Sequence, residues 1–516
     1  MTRIEGGKHD ANPRTGTNDT NKEWRRSVKS LKRKIIDKTK YKKMDLKNLT
    51  IEKAHELLKN KEITVRDLVD FYLDNIKTKN STINAYLEIF NDLEASIKIA
   101  EDMFKEGKDT LLTGIPMAIK DNILYEGHKA SAASKILENY VATYDSFVIE
   151  KLKEQGVVIL GRTNMDEFAM GSSTETSAFG VTRNPLDESR VPGGSSGGSA
   201  SAVAGDMALI ALGTETCGSV RQPAAFTGLV GLKPTYGAVS RSGIIAMGSS
   251  LDQVGPMGRT VKDVEIIFNA ISKYDKKDST SIKDEKREIK NKTLKKRIGV
   301  PREFLTGEGL DKEVLDNFNQ NCEKLKKAGY EIIDIDLPIL KYSLAVYYII
   351  MPAEVSSNLA RYDGIRYGLS AKADNLFETY TKSRGQGFGK EARRRILLGT
   401  YVLSHGYHDA YYNKALLVRK MIKDSLYQAF EEVDALVTPA VPFLPFKLGE
   451  KLNDPVSMYL SDIFSAPANL ADLPAIAIPA GENNLGLPFS LQITAPFLRE
   501  DILFTIGKDF EKEIRD

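Results

Sequence analysis

Cysteine is close to absent from this chain: Cys217 and Cys322 are the two thiols in 516 residues. Two thiols build no disulfide framework, and such sparse use fits a reducing compartment. Long hydrophobic runs are missing as well. No stretch of 18 or more apolar residues occurs, so no membrane span is expected. No apolar segment of signal-peptide type lies near the start, so no secretory leader is expected. Histidine is scarce. Of His9, His55, His128, His405 and His408, only the last two have ligand-like spacing, with no cysteine or clear carboxylate set beside them. No metal site is expected. The glycines follow neither the P-loop nor the dinucleotide-binding pattern, which argues against ATP bound to this chain.

What is present is a large body with a basic front. Residues 1–43 hold 14 Lys/Arg against 5 Asp/Glu, and the remainder holds 59 against 65. The body is therefore mildly acidic and lacks a global nucleic-acid bias. Hydrophobic residues make up 41%, ample for a large core. The first 20 residues are polar and without periodicity and read as disordered. Residues 22–43 form a basic candidate helix with Trp24, Val28, Leu31 and Ile35 on one side, read as a solvated extension rather than an RNA, membrane-surface or targeting element.

Apolar periodicity predicts a helix over 64–76, with Thr64 and Asp67 as a capping-box pair. Asp145 is expected to cap a second helix ending at Gly156. The apolar run at 157–160 reads as a buried strand, and short apolar runs at 208–212, 298–301, 332–337, 436–439, 475–479 and 489–493 are further strand candidates. Their alternation with helical segments indicates an α/β architecture. Residues 274–296 read as a charged surface excursion. Residues 297–425 read as a mostly helical cap, with a long helix near 391–410 carrying Arg393, Arg394 and Arg395.

The densest chemical signal lies between Pro192 and Gly228. It contains Pro192-Gly-Gly-Ser-Ser-Gly-Gly-Ser199 and Gly213-Thr-Glu-Thr-Cys-Gly-Ser219, with Ser195 and Ser219 24 residues apart. Lys120 lies 75 residues before Ser195, in Ile115-Pro-Met-Ala-Ile-Lys120-Asp-Asn122. Two serines and a lysine can generate a nucleophile without histidine, and glycine lets backbone approach a reacting carbonyl closely. The turn from Thr216 through Cys217 and Gly218 to Ser219 supplies consecutive amides suited to an oxyanion.

These motifs resemble the amidase-signature family and, within it, the A subunits of glutamyl-tRNA(Gln) amidotransferases. The resemblance extends through Met44-Asp-Leu-Lys47, Leu160-Gly-Arg-Thr-Asn-Met-Asp-Glu-Phe168, Gly231-Leu-Lys-Pro-Thr-Tyr-Gly237 and Ser250-Leu-Asp-Gln-Val-Gly-Pro256. It continues through Arg361-Tyr-Asp-Gly-Ile-Arg-Tyr367, Gly387-Phe-Gly-Lys-Glu391 and Asn469-Leu-Ala-Asp-Leu-Pro474, so residues 44–516 form one family-like domain. It implies a large mixed sheet flanked by helices. It implies Ser219 as nucleophile, Ser195 as proton relay after a cis Gly194–Ser195 bond, and Lys120 as the base. For a glutamine substrate it implies Arg395 on the carboxylate, Asp462 on the ammonium and Tyr347 in the pocket wall. It implies a heterotrimer with subunits B and C, the partner binding ATP, Mg²⁺ and misacylated tRNA, in the cytoplasm or an organellar matrix. One departure stands out: relatives read Asp-Thr-Gly-Gly-Ser where this chain reads Glu215-Thr-Cys-Gly-Ser219. A Cβ at 217 would be strained there if that residue needed a positive φ. A stand-alone amidase for small or aryl amides, and a non-catalytic scaffold of the same fold, stay open as alternatives.

Overall fold

Short apolar runs separated by amphipathic helices collapse here into one mixed sheet. The computed structural model describes residues 46–287, 294–307 and 309–515. Asn48–Asp516 is one compact unit; the extension expected over 1–43 lies outside the described residues. The strands are β1 (Tyr86–Ile89), β2 (Pro116–Lys120), β3 (Val158–Thr163), β4 (Ile210–Glu215), β5 (Val230–Lys233) and β6 (Gln253–Gly258). They continue with β7 (Arg297–Val300), β8 (Glu331–Asp334), β9 (Ala435–Pro439), β10 (Ala475–Glu482) and β11 (Pro488–Thr494). The order across the 11-stranded sheet is β1-β3-β2-β4-β6-β5-β10-β11-β9-β7-β8. β2 runs parallel to β3 and β4, β7 runs parallel to β8 and β9, and the other pairs are antiparallel. Every residue of β2, β3 and β4 is buried, as parallel strands covered on both faces require.

The seven expected strands all form. β8 is an edge strand, and its terminal residues Glu331 and Asp334 are exposed. β1, β2, β5 and β6 carry weaker signals. β2 is five residues long and ends in a lysine. β6 reads Gln253-Val-Gly-Pro-Met-Gly258, a composition that argues against a strand. Its glycine is needed by the packing, since a Cβ at Gly255 would lie 2.2 Å from the Leu232 carbonyl oxygen of β5. The expected helix at 64–76 extends over Val65–Ile83, and its capping box is present. The Asp67 N–H donates to the Thr64 hydroxyl at 3.1 Å, and the Thr64 N–H donates to the Asp67 carboxylate at 2.9 Å. Asp145 is not the cap of the next helix, Phe147–Glu154, which starts after Ser146. Its carboxylate instead accepts from the Glu126 N–H and from Lys153 Nζ, because a lysine two turns on competes for it.

Residues 297–425 begin with β7 and β8 at the sheet edge; from Pro338 to Glu432 every regular element is helical. The helix expected near 391–410 is shorter, Lys390–Val402. It stops before Gly406, whose φ of +83° does not continue a helix, and the chain resumes through a π-turn, His408–Asn413, into Lys414–Glu432. Within the charged segment 274–296, Asp275 and Asp278 are buried, accepting from the Ser240 hydroxyl and the Arg241 guanidinium. Residues 288–293 lie outside the described residues.

Gly161 in β3 marks where the sheet is tightest. It pairs with Ile89, and a Cβ there would lie 2.1 Å from the Glu88 carbonyl oxygen. Gly161→Ala is expected to destabilise the chain by about 1–3 kcal/mol, the usual cost of overpacking, measured by urea unfolding. An unchanged midpoint would show that β1 can move off β3 freely.

Candidate active site

Lys120 terminates β2 in the middle of the parallel trio, fully buried. Its Nζ lies 2.7 Å from Ser195 Oγ, 2.8 Å from Ser196 Oγ and 3.0 Å from the Thr214 carbonyl oxygen on β4. No carboxylate hydrogen-bonds to it among the described residues. Burial therefore dominates and lowers its pKa to about 7, against the opposing pull of Asp166, Asp252 and Glu215.

The first serine loop is shaped by contacts that side chains would block. The Gly194–Ser195 peptide bond is cis, and Ser196 leads into the helix Gly197–Ala204. A Cβ on Gly194 would lie 2.1 Å from an Asp166 carboxylate oxygen. The Asp166 N–H in turn donates to the Ser195 carbonyl at 3.2 Å. Ser196 is a partner that sequence reasoning missed. Its adjacency to Ser195 in Gly-Gly-Ser-Ser was the signal. Its hydroxyl donates to the Thr214 carbonyl at 3.1 Å, and its N–H donates to the Ser219 carbonyl at 3.2 Å, tying the two serine loops together.

The second loop leaves β4 at Glu215 and is held by a buried ion pair. Glu215 accepts from Arg221 Nε at 2.9 Å, from Arg221 Nη2, and from the backbone N–H groups of Val220 and Arg221. Arg221 also donates to Gln492, Asn469 and the Ser465 carbonyl, and Asn469 donates to the Thr216 carbonyl at 2.9 Å. Beneath the loop, Asp252 accepts from the Thr216 hydroxyl at 2.7 Å and from the N–H groups of Met247 and Gly248. Burial raises its pKa to about 6. Among the described residues no acceptor sits on the N–H groups of Cys217, Gly218 or Ser219. The left-handed residue of this turn is Gly218, at φ +76°, and Cys217 has no positive φ. The strain expected of a Cβ at 217 is therefore absent. The Cys217 thiol is buried 3.5 Å from Ser465 Oγ, and burial together with Asp462 raises its pKa, leaving it protonated at neutral pH. The Ser219 hydroxyl forms no hydrogen bond to Ser195 or Lys120 among the described residues. The structure makes the Lys120–Ser195 contact and leaves Ser219 joined to that loop by its backbone.

The three residues expected at the substrate end cluster beyond Gly218. A Cβ on Gly218 would lie 3.1 Å from Asp462 Oδ1. Asp462 is buried, accepts from the Tyr348 hydroxyl at 2.7 Å, and has its pKa raised to about 7 by burial. Arg395 is buried on the helix Lys390–Val402 and donates to Glu391 at 2.7 Å. Its Nη2 has no partner among the described residues. Its guanidinium lies 5.5 Å and 5.4 Å from the Tyr348 and Tyr459 ring centroids, and those rings stack at 3.9 Å. Among the described residues no ion pair joins Arg395 to Asp462: the guanidinium pairs with Glu391 and the Asp462 carboxyl accepts from Tyr348. Tyr347 packs edge-on to Tyr348 at 4.9 Å inside an apolar cluster with Cys217 and Met351. Tyr348, absent from the sequence expectation, is the ring that touches both charged residues.

Among the described residues no group of three or more His, Cys, Asp or Glu could hold a metal ion, and no helix is long and apolar enough to cross a membrane.

Residues 67–504 match the family model described as Amidase. Glutamyl-tRNA(Gln) amidotransferase A subunits from two organisms illustrate the likeness in sequence. That of Thermoanaerobacter pseudethanolicus is 50% identical over 475 residues, covering 91% of this chain and 97% of that protein. That of Gloeothece citriformis is 50% identical over 469 residues, covering 90% and 97%. Among crystal structures of such A subunits, the one from Thermotoga maritima superposes with a TM-score of 0.73 at 38% identity, over 91% of this chain and 95% of that one. The native peptide amidase of Stenotrophomonas maltophilia gives 0.74 at 26% identity, over 91% and 98%.

The Glu215–Arg221 pair is fully buried, so removing one partner strands the other charge. Glu215→Ala is expected to cost roughly 3–5 kcal/mol, read from denaturant unfolding. A loss below about 1 kcal/mol would mean that the remaining partners of Arg221 suffice to hold the turn.

Proposed function

Because the chain belongs to the amidase family, we propose that it is the glutaminase subunit of a tRNA-dependent amidotransferase and supplies ammonia for converting Glu-tRNA(Gln) to Gln-tRNA(Gln). The observation that carries this reading is the buried Lys120–Ser195 hydrogen bond beneath the Ser219 turn, with Arg395 and Asp462 held by separate partners beyond it. The names of the relatives at 50% identity support the same reading.

In this mechanism neutral Lys120 draws the Ser195 proton, and Ser195 takes the proton of Ser219 as its oxygen attacks the glutamine amide carbon. The negative oxygen of the tetrahedral intermediate rests on amides of the Thr216–Ser219 turn. The intermediate collapses with cleavage of the C–N bond. The proton returned through Ser195 leaves on ammonia, and Ser219 keeps a glutamyl ester. Water, deprotonated by the same relay, releases glutamate. Arg395 holds the substrate carboxylate, Asp462 the ammonium, and Tyr347 the aliphatic stem. A carboxamide lacking these charged ends gains nothing from them, which separates this reading from an amidase for aryl amides. ATP and Mg²⁺ would be held by the partner subunit and would there supply activation of the tRNA-bound carboxylate. Subunits B and C, and the cytoplasm or an organellar matrix, complete the setting.

Ser219→Ala is expected to lower ammonia release from glutamine by roughly 10⁴-fold. Lys120→Ala and Ser195→Ala should each lose most activity, and their double variant should be scarcely worse, because members of one relay act as a unit. The measurement is steady-state ammonia release, with benzamide as the comparison substrate. Near-normal turnover by Ser219→Ala, multiplying losses in the double variant, or a preference for benzamide would each sink the assignment.

A further inference from the structure

Asp166 and Glu167 are adjacent, both buried, and turned toward different parts of the molecule. Asp166 belongs to the serine side. Its carboxylate packs against Gly194, and its N–H holds the Ser195 carbonyl. Glu167 belongs to the helical side. Its carboxylate accepts from the Gly389 N–H with both oxygens, at 3.1 Å and 2.9 Å, and from the Ser134 hydroxyl at 2.5 Å. The Ser134 hydroxyl also reaches the Gly387 carbonyl at 3.2 Å. Gly389 is the N-cap of the helix Lys390–Val402 and has no side-chain cap of its own. A carboxylate from 222 residues earlier in the chain therefore does the capping, where the helix dipole favours negative charge. The fit is close: a Cβ on Gly389 would lie 2.5 Å from Glu167 Oε2. Phe168 reinforces the joint, packing on Phe388 and Tyr362 at ring distances of 5.6 Å and 5.1 Å.

Arg395 lies six residues beyond this cap, about 9 Å along the helix at 1.5 Å per residue. The same helix is seated further on at Gly399, where a Cβ would lie 1.8 Å from the Pro352 carbonyl. A shift at the Gly389 end pivots the helix about that second contact and moves the guanidinium. Thr176 closes the chain of contacts, accepting from the Glu167 N–H at 3.0 Å and donating to Asp166 at 2.9 Å.

We infer that Glu167 is a positioning residue for substrate affinity: by capping the helix at Gly389 it sets where Arg395 stands relative to the loop of Ser195. This rests on the reading of Arg395 as the site of the glutamine carboxylate. The role is specific to the charged end of the substrate. A neutral amide makes no use of Arg395, so displacement of the helix should spare it. Glutamine at position 167 keeps the volume but replaces one acceptor oxygen with an NH₂ that faces the Gly389 N–H, and it removes the charge.

The test uses the full-length chain in its assembled complex, with glutamine and butanamide as substrates. Glu167→Gln is expected to raise the glutamine KM about tenfold while changing kcat less than about twofold, and to change butanamide kcat/KM less than about twofold. Gly389→Ala, which crowds the same contact from the helix side, should behave alike and serves if Glu167→Gln does not fold. The double variant Glu167→Gln/Arg395→Ala should bind glutamine no worse than Arg395→Ala alone. Equal losses on both substrates, a fall in kcat with KM unchanged, or multiplying KM effects in the double variant would overturn the inference. If Arg395→Ala alone leaves the glutamine KM unchanged, it is the reading of Arg395 that fails, and the positioning role falls with it.

Discussion

Among the described residues no carboxylate lies within hydrogen-bond reach of Lys120, at the end of the middle strand of the parallel trio, and the rest of the site is arranged around that constraint. Lys120 has two serine hydroxyls and one carbonyl for partners, and desolvation brings its pKa to about 7. Asp166, Asp252 and Glu215 are near enough to oppose the shift, yet each is committed elsewhere, to loop amides, to Thr216 and to Arg221. A salt bridge would have held the lysine as a cation, which could not serve as the base proposed for it. The energetic sign follows. The folded pKa lies below the usual value of about 10.4, so the unfolded chain binds the extra proton between about pH 7 and 10.4. The burial cost is full below that window and fades as pH rises through it.

The first serine loop meets this lysine directly, the Ser219 loop is tied to the first by the Ser196 N–H on the Ser219 carbonyl, and both are buried. Gly194 allows Asp166 to pass beneath the first, and Gly218 lets the second turn back against Asp462 and Ser465. The Glu215–Arg221 pair pins both ends of the second loop through the residues it shares, Asn469 and Ser465. The expected substrate end draws on three further elements: the helix of Arg395, the helix of Tyr347 and the short turn of Asp462, the last packed against Gly218. Asp166 and Glu167 join the first of these to the loop of Ser195, one residue facing each.

Much of this is legible in the amino-acid sequence. The strands β3, β4 and β7 to β11 show as apolar runs, and the Gly/Ser density marked the loops that approach Lys120. The strand that carries Lys120 did not show, because five residues ending in a charge give no periodic signal. β6 was hidden by Gly255 and Pro256, residues that serve close strand approach rather than propensity. Tyr348, Asp252 and Glu167 were missed for a common reason: each acts through a partner distant in sequence, and no local spacing announces that partnership. Cys217 raised a question the structure answers, since the left-handed backbone falls on the glycine beside it.

The central claim is that Lys120 activates Ser219 through Ser195 by being neutral near pH 7. The most direct measurement is the rate at which a serine-directed sulfonyl fluoride inactivates the protein as a function of pH, with the modified residue located by peptide mass spectrometry. It requires neither glutamine binding nor ammonia release. The account predicts modification at Ser219, with a rate that rises through a midpoint near pH 7 and levels off, and that loses this step in Lys120→Met. Modification at Cys217, a midpoint near pH 10, or a profile unchanged by Lys120→Met would contradict it.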